Sequence, residues 1–353
     1  MSKQQENQVP QMVRYAIIGC GLIAHKHALA LQQTPEAKLV ACCSSDRADA
    51  QRFADQYGLE AFDTYEDLLT SPAVDAVSLC TPSGLHTPQA LQALAAGKHV
   101  FMEKPMSLTL KEADELIDAQ EKSPCKVGII SQFRFAPAVQ EIRRAIDLGA
   151  FGHIVSGSLQ MKYYRSAEYY ASGAWRGTWD MDGGGALMNQ GIHGIDIFRY
   201  LMGPAKNLTG YARTLTHDIQ VEDSAVAILD FESGALGTIE GSTTCFPGYP
   251  RRFEICGDKG SVILEEDAII SWDLPIPCQL PVGQAAANVA SSDPMAISFE
   301  GHLRQYINFT RAILFDEPLL ADVWAGRQPL EIILAIYASS KAGKSVDMKE
   351  FMR

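Results

Sequence analysis

No stretch of this 353-residue chain holds eighteen consecutive apolar residues, so no segment reads as a membrane span. The N-terminus is equally poor in them. Ser2, Lys3, Gln4, Gln5, Glu6, Asn7 and Gln8 leave no apolar centre for a secretory leader, and residues 1–12 are expected to be a disordered lead-in to a cytoplasmic protein. The eight cysteines, at 20, 42, 43, 80, 125, 245, 256 and 278, include no Cys-x-x-Cys pair. They read as small buried hydrophobes with free thiols in a reducing compartment, and with no Cys/His spacing to support zinc, no metal is expected. Basic charge is scarce too: 30 Lys and Arg against 42 Asp and Glu give a net charge of −12, which argues against nucleic acid or an anionic membrane as partner.

What is present begins with Val13-Arg14-Tyr15-Ala16-Ile17-Ile18, an apolar run that ends in Gly19-x-Gly21-x-x-Ala24 and passes into an amphipathic segment. That order is strand, tight turn and helix start. Gly19 suits the turn, Gly21 lets backbone approach a pyrophosphate, and Ala24 lets the helix pack close to the strand. The helix N-terminus at Leu22 and Ile23 offers open N–H groups to phosphate. A glycine pair alone is a weak signal, but the strand before and helix after make it a dinucleotide fingerprint. At the end of the next strand, 39–43, Ser44 and Ser45 stand where a carboxylate would hold a ribose, with Arg47 nearby. This favours NADP over NAD slightly, because a hydroxyl does not repel a 2′-phosphate, although Asp46 is close enough to serve a ribose itself.

Further strands at 73–80, 98–102 and 126–130 alternate with helices at 22–33, 47–57, 86–96 and 109–121. This is a doubly wound parallel sheet, whose ligands lie beyond the C-terminal strand ends. Thr81, Pro82 and His86 fall at one such end, and Glu103, Lys104 and Pro105 at the next. After about 130 the pattern changes to longer strands at 154–164, 208–216, 224–231, 235–243, 252–256 and 261–265, with helices at 137–148, 185–201, 299–314 and 324–341 and an irregular loop at 275–294. Consecutive strands joined by turns describe an antiparallel sheet. The chain thus divides into the lead-in, a nucleotide-binding domain at 13–130 and an α+β domain at 131–353. Its fold class is α/β, an N-terminal Rossmann doubly wound parallel sheet plus a large open, mostly antiparallel sheet.

Lys104, in the strand-end crevice, can donate to a substrate oxygen and stabilise a developing alkoxide; the competing reading is a surface lysine. A cis bond to Pro105 is expected. Asn189 and His193 are four apart on a helix that follows Gly183-Gly184-Gly185, so both can meet one substrate hydroxyl, and His193 can exchange a proton near neutral pH. The competing reading is a core histidine bonded to Asp196. Arg134, Arg165 and Arg176 are candidate clamps for an anionic substrate, and Tyr164 and Trp175 candidate platforms for a sugar face. His25 and His27, two apart, lie on different helix faces and suit surface or interface roles better than a shared metal.

Taken together, Gly19-x-Gly21-x-x-Ala24, Thr81-Pro82-Ser83 with His86, Glu103-Lys104-Pro105, and Gly183-Gly184-Gly185 leading to His193 resemble the glucose–fructose oxidoreductase / inositol dehydrogenase / rhizopine-catabolism (Gfo/Idh/MocA) family over nearly the whole chain. The resemblance implies NAD(P)-dependent hydride transfer at a hydroxyl or carbonyl carbon of a sugar, polyol, sugar acid or nucleotide sugar. It also implies a homo-oligomer, dimer or tetramer, assembled through the C-terminal sheet. By position it makes Lys104 the catalytic, substrate-positioning lysine and His193 the proton donor or acceptor. Many relatives carry Asp where this chain has Asn189; an amide cannot share a proton, so Asn189 would orient substrate instead. Two alternatives stand beside this: a redox-neutral enzyme that recycles tightly held NAD(P), and a non-catalytic NAD(P)-binding regulator.

Overall fold

The computed structural model describes residues 12–283 and 298–353. The lead-in expected at 1–12 therefore lies, except for Met12, outside the described residues, as does most of the loop expected at 275–294. In order the chain runs β1 (Val13–Ile18), α1 (Leu22–Gln33), β2 (Ala37–Cys43), α2 (Arg47–Tyr57), β3 (Glu60–Phe62), α3 (Tyr65–Thr70), β4 (Ala76–Leu79), α4 (His86–Ala95), β5 (His99–Met102), α5 (Leu110–Glu121) and β6 (Val127–Ile129). These strands form a six-stranded sheet in the order β3-β2-β1-β4-β5-β6, every pair parallel. The order reverses beside β1, and a doubly wound sheet opens its ligand crevice at that point. The three-residue β3 was not expected, being too short to carry an alternation. Helix α5 shows clear local logic: Thr109 and Glu112 form a reciprocal capping box.

The chain continues through α6 (Pro137–Asp147), β7 (Ile154–Lys162), α7 (Ala167–Ala171), α8 (Ile192–Met202), β8 (Ala205–Arg213), β9 (Ser224–Phe231), β10 (Leu236–Ser242), β11 (Arg252–Gly257), β12 (Gly260–Glu265), β13 (Ala268–Asp273), α9 (Glu300–Phe315), α10 (Val323–Ala342), β14 (Val346–Asp347) and α11 (Met348–Phe351). Its eight strands make a second sheet in the order β13-β12-β11-β7-β10-β9-β8-β14, antiparallel except where β10 runs parallel to β7. Along β9, Ala225, Ala227 and Leu229 are buried while Val226 and Ile228 are exposed, the period-two pattern of a sheet covered on one face. Helices α8 and α10 cover the inner face. The outer face carries Val155, Tyr211, Val226, Ile228 and Leu236, each at least half exposed.

Helix α9 crosses back to the first sheet. Its Tyr306 and Phe309 sit in one buried cluster with Tyr15 and Ile17 of β1 and Phe101 of β5, and the Tyr15 and Thr310 hydroxyls are 2.8 Å apart. No helix among the described residues is long and apolar enough to cross a membrane.

Candidate active site

A crevice of about 930 Å3 runs along the C-terminal ends of the parallel strands and is walled on its far side by the second half of the chain. Its floor is the turn after β1. Gly19 has φ +89°, and a Cβ there would come within 2.9 Å of the Cys80 carbonyl oxygen, so both conformation and space require glycine. No side chain caps the N-terminus of α1, and a Cβ on Gly21 would meet nothing within 4 Å. An open turn with free helix N–H groups fits a pyrophosphate. Leu22 and Ile23 line the same wall, as do Ser44 and Ser45 at one end and Thr81, Pro82, His86, Glu103 and Lys104 towards the other. His86 ties two of these loops together, its ring nitrogens lying 2.7 Å from the Pro105 carbonyl and 2.8 Å from that of Thr81. The expected cis bond between Lys104 and Pro105 is present.

Arg47 does not line the crevice. It sits in the first turn of α2 and pairs with Asp63 at 3.2 Å, while Asp46 caps the helix by accepting from Ala48 N and Asp49 N. A residue opening a helix points along its surface, and here that surface faces solvent.

From the second half, Arg165, Trp175, Arg176, Asn189 and His193 reach the crevice as expected. Arg134 does not. It is buried against Asp196 through two hydrogen bonds of 2.8 and 2.6 Å, a bidentate pair that links the segment after β6 to α8. The same pair occupies Asp196, the partner that His193 would otherwise have. Tyr164 is also outside the crevice: past the end of β7 successive side chains take opposite faces, so Tyr163 turns in while Tyr164 packs edge-on against Phe246.

Lys104 and His193 line this one cavity. Lys104 Nζ donates to the Asn189 carbonyl at 2.7 Å. Burial lowers the Lys104 pKa, opposed by the Glu103 and Asp182 carboxylates. Burial, reinforced by the Lys104 charge, holds the His193 imidazole well below its ordinary range, so it is neutral and able to accept a proton at neutral pH. Its ring meets Phe133 edge-on at 5.2 Å.

The helix expected at 185–201 is interrupted. Ala186–Gly191 forms a π turn before α8 begins, so Asn189 and His193 do not share one α-helical face. The Asn189 amide instead donates to Asp182 Oδ1 at 2.5 Å, and its oxygen accepts from Gln190. Glu222 secures this turn, accepting from Gly185 N, Leu187 N and the Tyr337 hydroxyl at 2.8–2.9 Å. Burial raises its carboxyl to about 7 despite these donors. Position 185 must be glycine because a Cβ would lie 1.8 Å from the Glu222 carbonyl oxygen.

Several residues in or behind the crevice wall carried no sequence signal. Asp182, Gln190 and Arg251 acquire neighbours only through the fold. His27, expected at a surface or interface, is fully buried: its Nε2 bonds Glu103 at 3.0 Å, and its Nδ1 lies 2.7 Å from the Tyr306 hydroxyl and 3.0 Å from that of Ser78. His302 joins them, and the donor atoms of His27, Glu103 and His302 lie within 4.8 Å of one another. Burial alone would raise the Glu103 carboxyl, but the two histidines outweigh it and hold it well below the usual range.

A parallel sheet of this strand order, a glycine turn open to phosphate and a lysine and histidine on one crevice define a Rossmann-type dinucleotide-dependent oxidoreductase. Residues 13–131 match the NAD-binding Rossmann-fold model of the oxidoreductase family, and residues 139–263 match the GFO/IDH/MocA C-terminal domain. The chain belongs to the Gfo/Idh/MocA family of NAD-binding oxidoreductases. Among its relatives, scyllo-inositol 2-dehydrogenase (NAD(+)) of Bacillus subtilis is 32% identical over 71% of this chain and 73% of its own length. D-glucoside 3-dehydrogenase of Escherichia coli is 26% identical over 95% and 97%. The WlbA dehydrogenase of Bordetella pertussis, solved with NADH and UDP-GlcNAcA, superposes with a TM-score of 0.87 at 29% identity over 96% of this chain and 98% of that one.

Proposed function

We propose that this chain is a dehydrogenase or reductase that acts on a secondary alcohol, or the matching ketone, of a sugar or sugar acid. The observation that carries the reading is that Lys104 and His193, from different halves of the chain, line the crevice whose other end is the phosphate-accepting turn. NAD(H) supplies or accepts the hydride. Lys104 donates a hydrogen bond to the reacting oxygen, and the Asn189 carbonyl holds Nζ in place for it. His193, uncharged in the resting site, accepts the proton of that hydroxyl during oxidation and returns it during reduction. Asn189 orients the π turn through Asp182 rather than exchanging a proton.

The coenzyme is NAD(H) in this reading, reversing the slight preference for NADP taken from the sequence. Asp63 and Glu66 line the crevice at the Ser44–Ser45 end and would repel a 2′-phosphate, while Arg47 is engaged with Asp63. The measured kcat/KM is expected to favour NAD over NADP by about tenfold or more, the effect of placing one carboxylate against a phosphate.

Arg165 and Arg176 support an anionic substrate. Arg165 leans on Gln190, and Arg176 stacks over Tyr169 and Trp175 at 4.4 and 4.6 Å from the ring centroids. Both guanidinium groups thus stand fixed in the crevice wall, Arg165 buried and Arg176 partly exposed. Arg165→Ala and Arg176→Ala are each expected to raise KM for a uronate or nucleotide-sugar substrate by about tenfold with kcat little changed, the value of one charged hydrogen bond. A KM unchanged in both variants would count against the acidic class.

The outer sheet face, with Val226, Ile228 and Leu236 exposed side by side, supports assembly with a second copy of the chain. The test of the whole reading is a screen of polyols, sugars, sugar acids and nucleotide sugars with both coenzymes, followed by absorbance of the reduced nicotinamide. Product formation without net change in that absorbance would favour a recycling enzyme, and coenzyme binding with no turnover on the panel would favour a regulator.

A further inference from the structure

Among the crevice-lining side chains of the described residues, those of Gln132, His302 and Arg251 carry buried polar atoms without a hydrogen-bond partner; Arg251 is a cation that offers only donors and lies 3.5 Å from Glu266, so the buried acceptors are on the other two. Gln132, in the turn that follows β6, is 6% exposed, and its Oε1 has no hydrogen-bond partner among the described residues. His302, in the first turn of α9, is 1% exposed, and neither ring nitrogen has one. The two are neighbours: a Cβ built on Gly301 would stand 3.1 Å from that of Gln132. Both line the crevice beside Glu103.

Their chemistry is specific. Burial lowers the His302 pKa, outweighing the pull of Glu103, so the ring is neutral and carries one N–H. Its Nε2 lies 3.7 Å from Glu103 Oε1, and a ring nitrogen turned to an ionised carboxylate is the one that keeps the proton. Nδ1 is left as an acceptor. The pair therefore presents two buried acceptors, one amide oxygen and one imidazole nitrogen, with no donor at either; native interiors rarely leave such groups unmet.

Their place in the sheet says what meets them. The phosphate turn follows β1 and the Ser44–Ser45 end follows β2, so a dinucleotide laid across the strand ends brings its other half over β4, β5 and β6. Glu103 follows β5 and Gln132 follows β6. A planar group with two N–H bonds on one nitrogen satisfies two acceptors at once, and a primary amide is such a group.

We infer that Gln132 Oε1 and His302 Nδ1 accept the two N–H bonds of the coenzyme's carboxamide, and so determine which face of the nicotinamide ring is turned towards Lys104 and His193. The inference rests on the dinucleotide reading and deepens it.

Titration calorimetry on the full-length protein tests it with NAD+, ADP-ribose and 3-acetylpyridine adenine dinucleotide, in which a methyl group replaces the amide nitrogen. Wild type is expected to bind NAD+ about tenfold tighter than the acetylpyridine analogue, because two neutral hydrogen bonds of roughly threefold each or more are lost together. Gln132→Ala and His302→Ala should each shrink that preference severalfold and leave ADP-ribose affinity unchanged. Equal wild-type affinity for the two dinucleotides overturns the assignment, and so does a variant that weakens ADP-ribose as much as NAD+. Should a variant fail to fold, the wild-type comparison decides alone. Wild type that binds none of the three ligands removes the dinucleotide reading itself, a result distinct from loss of the carboxamide preference.

Discussion

Lys104→Ala is expected to lower kcat/KM by about a thousandfold while coenzyme affinity changes less than about threefold, since removal of one donor to a developing oxyanion costs that much of transition-state stabilisation. In the proposed reaction Lys104 would reach the reacting oxygen from a loop whose other contacts, His86 to Thr81 and Pro105 and Glu103 to His27, do not involve its ammonium. The loop therefore survives the truncation. Arginine in place of the lysine should not restore the rate: its planar fork is bulkier, and it does not release a proton at working pH. Because burial lowers the Lys104 pKa, the group leaves its charged state at lower pH than an ordinary lysine. Oxidation with wild type should therefore show an alkaline limb below the usual lysine range, and that limb should be absent from the alanine variant. His193, already neutral at neutral pH, contributes no limb above it. A Lys104→Ala enzyme with near wild-type turnover on an identified substrate would remove lysine from the reaction.

The second large effect concerns stability. Arg134→Met or Asp196→Asn is expected to destabilise the fold by about 3–5 kcal/mol in urea unfolding followed by circular dichroism, because each leaves one partner of a buried, bidentate ion pair without its counter-charge. The double variant Arg134→Met/Asp196→Asn should recover part of that loss, since neither charge then remains buried alone. Asp196 lies one turn beyond His193 on α8, so the single variants should also raise KM. An Arg134→Met protein as stable as wild type would mean that solvent reaches Asp196.

The two outcomes separate what the sequence carried from what it did not. The Gly19–Ala24 turn, Glu103-Lys104-Pro105 and His193 were legible because each function needs a particular residue type at a particular local spacing. Lys104 and His193 lie 89 positions apart in the numbering, yet the rule that ligands sit beyond parallel strand ends was enough to pair them in advance. Arg134 was misjudged because its partner, Asp196, is 62 residues away and leaves no local trace. The π turn at Ala186–Gly191 was misjudged for a related reason: it depends on Glu222, from the far side of the chain, reaching the N–H groups of Gly185 and Leu187. His27, Glu103 and His302 come together only through α1, the end of β5 and α9, three elements whose own sequences satisfy ordinary helix and strand patterns. Charge at the Ser44–Ser45 end of the crevice was likewise a matter of Asp63 and Glu66 folding in from beyond β3.

The return of α9 to the first sheet makes the nucleotide-binding half non-contiguous. Tyr306 and Phe309, fully buried against Tyr15, Ile17 and Phe101, complete a wall that no earlier residue supplies. A fragment cut at the segment boundary near residue 131 would expose that apolar groove to water and lose His302 with it. The wall of the first sheet thus depends on a helix that arrives only after the second sheet is complete, so a nucleotide-binding half expressed alone is expected to need α9 supplied with it.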